Sequence, residues 1–274
     1  MTSGIFVPPM QASATGHAGT YRRMLPVELA RLYENALDWE HLPWVHPGSF
    51  RSIECLGVTA NRWRARTESP QGGTSVIELA LDRDSRRWVT RVLEGEGAGN
   101  EIWTHAFAVE PRRVDIVVDF FLPAVPAAQR AAAGAAYARL YARLYDEDVA
   151  MMVERTRQLD RRIGDRHPGQ RSVVLGPRQG LTLPATVSLG GRDFVVVETA
   201  GELRAFPAEC PHQLGPLSAG AVAEGVVTCP WHGYRFDLRT GRNLSGHLCQ
   251  LQPLPAVAVA SDGTVTLALA GETA

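Results

Sequence analysis

A chain of 274 residues can hold two domains with cores of their own. With 45% hydrophobic and 21% charged residues it reads as globular rather than disordered, and a formal net charge of -1 argues against a nucleic acid or an anionic membrane as partner. No apolar run reaches the ~18 residues needed to span a bilayer. All 28 basic residues are arginine, a bias from which no function is read. Four cysteines are too few for a disulfide scaffold and suit a reducing, cytoplasmic compartment. Residues 1–23 lack the basic-then-apolar order of a signal peptide and are expected to form an N-terminal arm.

Residues 24–42 show helical spacing: Leu29, Tyr33 and Leu37 recur at fours, with Leu32 beside them. Pro43 and Pro47-Gly48 are expected to end this helix. From 50 to 122 the pattern becomes β-rich, in five segments separated by Gly, Pro, Asn and Asp, which predicts an antiparallel meander. Residues 126–163 return to helix, with Leu140, Tyr141, Leu144, Met151 and Met152 on one face. Helix, meander and long final helix outline an α+β helix-grip (START-like) domain over 24–163, with a cavity between sheet and helix. GDRHPGQ supplies a Pro/Gly linker, 164–171. Residues 172–270 read as a second, all-β domain.

Two constellations carry chemistry. The first lies in the opening helix: Asn35, Asp38, His41 and His46, spaced N-x2-D-x2-H-x4-H. Asn35, Asp38 and His41 step by threes and are expected on one helix face. His46 meets them only if the helix opens after His41, a break assigned to Pro43. Two histidines and one carboxylate make the facial triad that holds non-haem Fe(II). The best source of the carboxylate is Asp146-Glu147-Asp148 in the long helix. Asp148 falls on the apolar face, four residues from both Leu144 and Met152, where an unpaired carboxylate is costly. Asp148 is therefore chosen and Glu147 held in reserve, with Asp146 expected in solvent near arginines. A pair of helix-end histidines facing water, and an Asp148–arginine pair, are the alternatives. Trp103, His105, Phe107, Phe120 and Phe121 are pocket candidates, of which strand alternation allows about half to face inward.

The second constellation is Cys210-Pro-His212, sixteen residues, then Cys229-Pro-Trp-His232. Two thiolates on one iron and two imidazoles on the other is Rieske ligation of a [2Fe–2S] cluster. A mononuclear zinc site is the alternative, but zinc loops usually pair like ligands in each half. Pro211 and Pro230 stiffen the loops, and Gly215, Gly220 and Gly233 let backbone approach the cluster. Cys249, just beyond, is expected as a thiol rather than a disulfide.

CPHQLGPLSAG and TCPWHGYRFDLRTGR resemble the ligand loops of Rieske ferredoxins and oxygenases. ENALDWEHLPWVHPGSF and YDEDVAMMVERTRQ resemble the mononuclear iron segments of Rieske non-haem iron oxygenase α-subunits. That resemblance implies a mononuclear Fe(II) on His41, His46 and Asp148, with Asn35 in support. It implies that Asp38 bridges His41 to a Rieske histidine, His232, and carries the electron. It implies electrons from NAD(P)H through a separate reductase or ferredoxin, a trimer, and O2-dependent hydroxylation, dihydroxylation or demethylation of a small apolar or aromatic substrate. Relative to that family the domain order is inverted and the first domain is short. The rival expectations are a Rieske electron-transfer or redox-sensing protein with a non-catalytic ligand-binding domain, and a lipid- or polyketide-binding protein with a regulatory cluster.

Overall fold

The computed structural model describes residues 16–163 and 169–269. Most of the segment assigned to the linker, and the start of the arm, lie outside those residues. The chain forms two compact units. The first comprises the residues up to Trp39 with His46–Val149; the second comprises Glu40–Val45 with the residues from Ala150 onward.

The first unit is a seven-stranded antiparallel sheet and a long helix. The strands are β1 (His17–Leu25), β2 (Ser52–Thr59), β3 (Arg62–Glu68), β4 (Thr74–Asp82), β5 (Arg87–Gly95), β6 (Glu101–Glu110) and β7 (Arg113–Phe121), in the order β1-β7-β6-β5-β4-β3-β2. The meander has six strands rather than the five expected. Residues 51–68, taken as one segment, fold back at Ala60-Asn61 so that Thr59 pairs with Arg62. Nor does the arm extend to residue 23. His17–Leu25 is an edge strand paired with β7 from His17–Phe121 to Leu25–Val114. Its polar residues hid it, because they serve the exposed face: Thr20 donates to Asp119 and Arg22 to Asp115.

The opening helix is shorter than its periodicity implies. α1 spans Leu29–Leu37, and a second, four-residue helix, α2 (Leu42–Val45), follows. The break therefore lies at Asp38–His41 and not at Pro43. Pro43 instead sits in the first turn of α2, where its missing N–H costs nothing. Asn35, Asp38 and His41 consequently do not share a helix face. α1 buries Leu32, Tyr33 and Ala36. Trp63 Nε1 donates to the Ala36 carbonyl at 2.9 Å, tying α1 to β3.

α3 (Ala127–Ile163) is 37 residues long, about 55 Å at helical rise. It belongs to the first unit through Val149 and to the second from Ala150. Gly134 interrupts its alanine-rich start for a steric reason. A Cβ there would stand 1.9 Å from the Ala18 carbonyl oxygen, so only glycine lets helix and β1 backbone approach this closely. Further along, Tyr137 and Tyr141 pack on fully buried Phe120 of β7. This is the helix-grip arrangement that the element order predicts.

The second unit is all-β apart from its share of helix. Its strands are β8 (Ser172–Pro177), β9 (Ala185–Leu189), β10 (Arg192–Thr199), β11 (Glu202–Pro207), β12 (Ala221–Ala223), β13 (Val226–Thr228), β14 (Arg235–Asp237), β15 (Ala256–Val259) and β16 (Thr264–Ala268). They form three three-stranded sheets, β11-β10-β9, β12-β13-β14 and β15-β16-β8. One core gathers Phe206, Leu217, Val227, Trp231, Phe236 and Leu251 around Cys210 and Cys229, and Met151 of α3 joins it. No helix among the described residues is long and apolar enough to cross a membrane.

Candidate metal centres

Cys210 follows β11, and Cys229 follows β13; His232 precedes β14. The first ligand loop thus hangs from an end of the β11-β10-β9 sheet, and the second joins β13 to β14 of the β12-β13-β14 sheet. Backbone hydrogen bonds close each loop: Cys210 N–H donates to the Gly215 carbonyl, and Cys229 N–H to that of Tyr234, both at 2.8 Å. The two thiols are buried and face each other. A hydrogen bond shared between the two sulfurs holds the Cys229 pKa below the usual thiol range, with His232 assisting. The same contact, reinforced by burial, pushes Cys210 far up. The rings of His212 and His232 pack edge to face at 4.6 Å.

The loops also fit a cluster sterically. A Cβ on Gly215 would lie 2.9 Å from the Trp231 ring and 3.1 Å from the Cys229 sulfur, so this position tolerates no side chain. Two apposed sulfurs and two packed imidazoles, with backbone drawn close, are the donor set and cradle that a Rieske cluster requires. The other cysteines are free thiols: Cys55 in β2, and half-buried Cys249, which accepts a hydrogen bond from Asn243.

The second group is His41, His46 and Asp148. All three are buried, and each offers a ligand atom such that these atoms lie within 4.8 Å of one another. His41 comes from the break between α1 and α2; His46 lies just past α2; Asp148 comes from α3. Opening the chain after Leu37 is what frees His41 from helical geometry. Asn35 Nδ2 donates to Asp148 Oδ1 at 3.0 Å, which places it in direct support of that carboxylate. Asp38 is the C-terminal cap of α1 and is half-buried; its N–H donates to the Asn35 carbonyl at 3.1 Å.

Glu147 stands apart from the group that Asp148 completes. Its Oε2 lies 2.6 Å from His46 Nδ1, while Asp148 Oδ1 lies 3.0 Å from His46 Nε2. Neighbouring helix residues point about 100° apart, so one turn of α3 reaches both edges of the same imidazole. Burial alone would lower the His46 pKa, but the two carboxylates outweigh it and raise it above the ordinary histidine value. Glu147, held in reserve as a ligand, thus touches the nitrogen that faces away from Asp148. Asp146 is exposed, as expected, and pairs at 2.6 Å with half-buried Arg23 of β1, whereas the arginines expected beside it are Arg139 and Arg143 of its own helix.

Of the five pocket candidates only Phe120 faces α3. Trp103 packs on Phe121 and under Arg87, and His105 stacks on Phe107, all on the opposite side of the sheet. The two-residue alternation of β6 and β7 decides this: Ile102, Thr104 and Ala106 are the inward set. Aromatic residues beside Asp148 come from α3 instead. Tyr141 and Tyr145 have hydroxyls pushed up by burial, and Tyr145 bonds to Thr104. Their spacing from Asp148, seven and three residues, was available in the sequence as a helical stripe.

Residues 173–255 match the Rieske [2Fe-2S] domain. The C-terminal part of the chain is a Rieske domain. Similar proteins include apoptosis-inducing factor 3 of Mus musculus, 42% identical over 55 residues, which are 20% of this chain and 9% of that protein. The 4beta-methylsterol monooxygenase of Methylococcus capsulatus (strain ATCC 33009 / NCIMB 11132 / Bath) is 42% identical over 52 residues, 19% of this chain and 14% of the relative. The matches thus span about a tenth of these relatives' lengths. Among solved structures, the Zhui aromatase/cyclase of Streptomyces sp. R1128 is 14% identical with a TM-score of 0.42, over 52% of this chain and 96% of that one. The Rieske domain fixes an iron–sulfur redox role, and its cluster would be held by Cys210, His212, Cys229 and His232.

Proposed function

We propose that this protein is the terminal component of a Rieske non-haem iron oxygenase, with a mononuclear Fe(II) held by His41, His46 and Asp148. The observation that carries the reading is the buried two-histidine, one-carboxylate group in a chain that also has a Rieske domain. Three ligands leave coordination positions open, and Fe(II) so held can bind and activate O2. Electrons would come from NAD(P)H through a separate reductase or ferredoxin.

The chain's own residues would supply geometry and dryness. Asn35 fixes one Asp148 oxygen, so the carboxylate presents a set face to the metal. Glu147 holds the Nδ1 proton of His46, which leaves Nε2 with the lone pair for the metal. Asp38 is assigned the link between His41 and a Rieske histidine. Tyr141 and Tyr145, with Phe120 packed behind Tyr141, put aromatic surface near Asp148, which suits a small apolar or aromatic substrate. Hydroxylation, dihydroxylation and demethylation are the reactions open to such a site.

Quantifying iron and acid-labile sulfide in anaerobically purified protein tests the reading. A [2Fe–2S] cluster plus one mononuclear iron gives three irons and two sulfides per chain. Two irons with two sulfides would leave an electron-transfer or redox-sensing protein and overturn the oxygenase. His41→Ala should remove one iron and all O2-dependent turnover while leaving the cluster's spectrum intact.

A further inference from the structure

Tyr234 lies two residues after His232 and is 5% exposed. One face of its ring stacks on His212 at 4.6 Å and 18°. The other face stacks on His247 at 3.9 Å and 14°. His247 itself is exposed. Three nearly parallel rings therefore run from a cluster-ligand position to the surface, through a residue that is otherwise sealed in the core.

The surface at the outer end has the make-up of a docking site. His247 belongs to the loop 243–249, which follows β14 and is fastened to it. Leu244 N–H donates to the Arg235 carbonyl, and the Ser245 hydroxyl accepts from Arg235 N–H. Asn243 Oδ1 accepts from Ser245 and His247 N–H, which fixes the loop's turn. Yet this ordered loop presents Leu248 at 103% exposure and Leu244 at 49%. Large apolar side chains held in water by a rigid loop suit a contact with another protein. Arginines flank the loop in sequence. Arg235, Arg239 and Arg242 are exposed, and the only carboxylate in 235–250, Asp237, is occupied by Thr240 and the Arg239 N–H; the Glu40 carboxylate is occupied by the Tyr234 hydroxyl, which donates to it at 2.8 Å.

We propose that loop 243–249 is where an acidic [2Fe–2S] electron-transfer protein docks, and that the stacked rings of His247, Tyr234 and His212 are its electron's way in. An apolar centre with a charged rim is the usual anatomy of such a contact, and the arginines select an acidic partner. One electron is transferred: the donor's cluster is oxidised by one and the Rieske cluster reduced by one, with no bond made or broken. The rings serve as a conducting bridge and end as they began. This inference rests on the Rieske domain and not on the mononuclear iron.

The test uses the whole protein with its cluster loaded. The probe is an acidic plant-type [2Fe–2S] ferredoxin, photoreduced with deazaflavin, and dithionite is the small-molecule control. Leu248→Asp and Arg242→Glu remove no buried atoms. Each should weaken binding of oxidised ferredoxin, measured by calorimetry, by about tenfold or more, and slow second-order cluster reduction in stopped flow at low salt. Reduction by dithionite, the visible spectrum and the iron and sulfide content should be unchanged. His247→Ala should lower the limiting rate of cluster reduction at saturating ferredoxin, where any change in affinity no longer counts. Unchanged affinity in the first two variants overturns the surface. An unchanged limiting rate in His247→Ala overturns the route. Wild-type protein that ferredoxin neither binds nor reduces overturns both.

Discussion

Glu147→Ala isolates the contact that holds His46 in place. Glu147 Oε2 and His46 Nδ1 are 2.6 Å apart; His46 is 2% exposed at its side chain and Glu147 44%. Truncating Glu147 therefore opens no core cavity, and the damage falls on the histidine. Two arguments set its size. A buried Nδ1–H left without its acceptor costs about 1–3 kcal/mol. Loss of the carboxylate partner of a metal-bound histidine lowers metal affinity by about 10–100-fold, which is about 1.4–2.8 kcal/mol. The two ranges agree. A plain surface ion pair would instead be worth about 0–1 kcal/mol. The assay is Co(II) binding to protein stripped of mononuclear metal, followed by d–d absorption. It must be run at alkaline pH for a reason of sign. His46 has a raised pKa, and Glu147 helps to hold its proton as well as to orient it. Near neutral pH, loss of Glu147 would free the histidine for metal and mask part of the effect. At high pH only orientation remains. Glu147→Gln should lose less, because its amide oxygen still accepts a hydrogen bond. An affinity loss under about threefold in Glu147→Ala would place the residue among solvated surface pairs and refute the argument. Failure of wild-type protein to bind Co(II) would refute the metal site itself.

Other expectations follow from the same geometry. Asp38→Asn should keep both metals and a reducible cluster but stop turnover, checked by metal analysis beside product formation. Normal turnover would remove Asp38 from the electron path. Gly215→Ala should prevent cluster assembly, because its Cβ would press on the Trp231 ring and the Cys229 sulfur. Loss of sulfide and of the visible bands would report it. Phe120→Ala deletes a fully buried ring beneath Tyr137 and Tyr141 and should destabilise the first unit by about 3–5 kcal/mol, read by denaturant unfolding.

The sequence by itself determined which atoms could hold metal. Cys210, His212, Cys229 and His232 were legible because ligand loops are short and their spacing is local. The succession of helix, strands, long helix and second β domain was legible for the same reason, since periods of 3.6 and 2 are written within each element. Asp148 was separable from Asp146 and Glu147 because a helix fixes which of three neighbours points inward.

Only the tertiary structure decided how these groups meet. Strand β1 is not marked in the sequence because its partner, β7, lies about a hundred positions away, and register is set by that partner. The helix break at Asp38–His41 was misplaced onto Pro43, since proline marks a stop but is equally at home in a first turn. The faces of β6 and β7 could not be assigned before the side covered by α3 was known; alternation gives two faces but does not say which is inside. The role of Glu147 and the stack through Tyr234 were likewise invisible. Each joins residues brought together by packing, and a linear spacing carries no record of which ring nitrogen or ring face a distant side chain will reach.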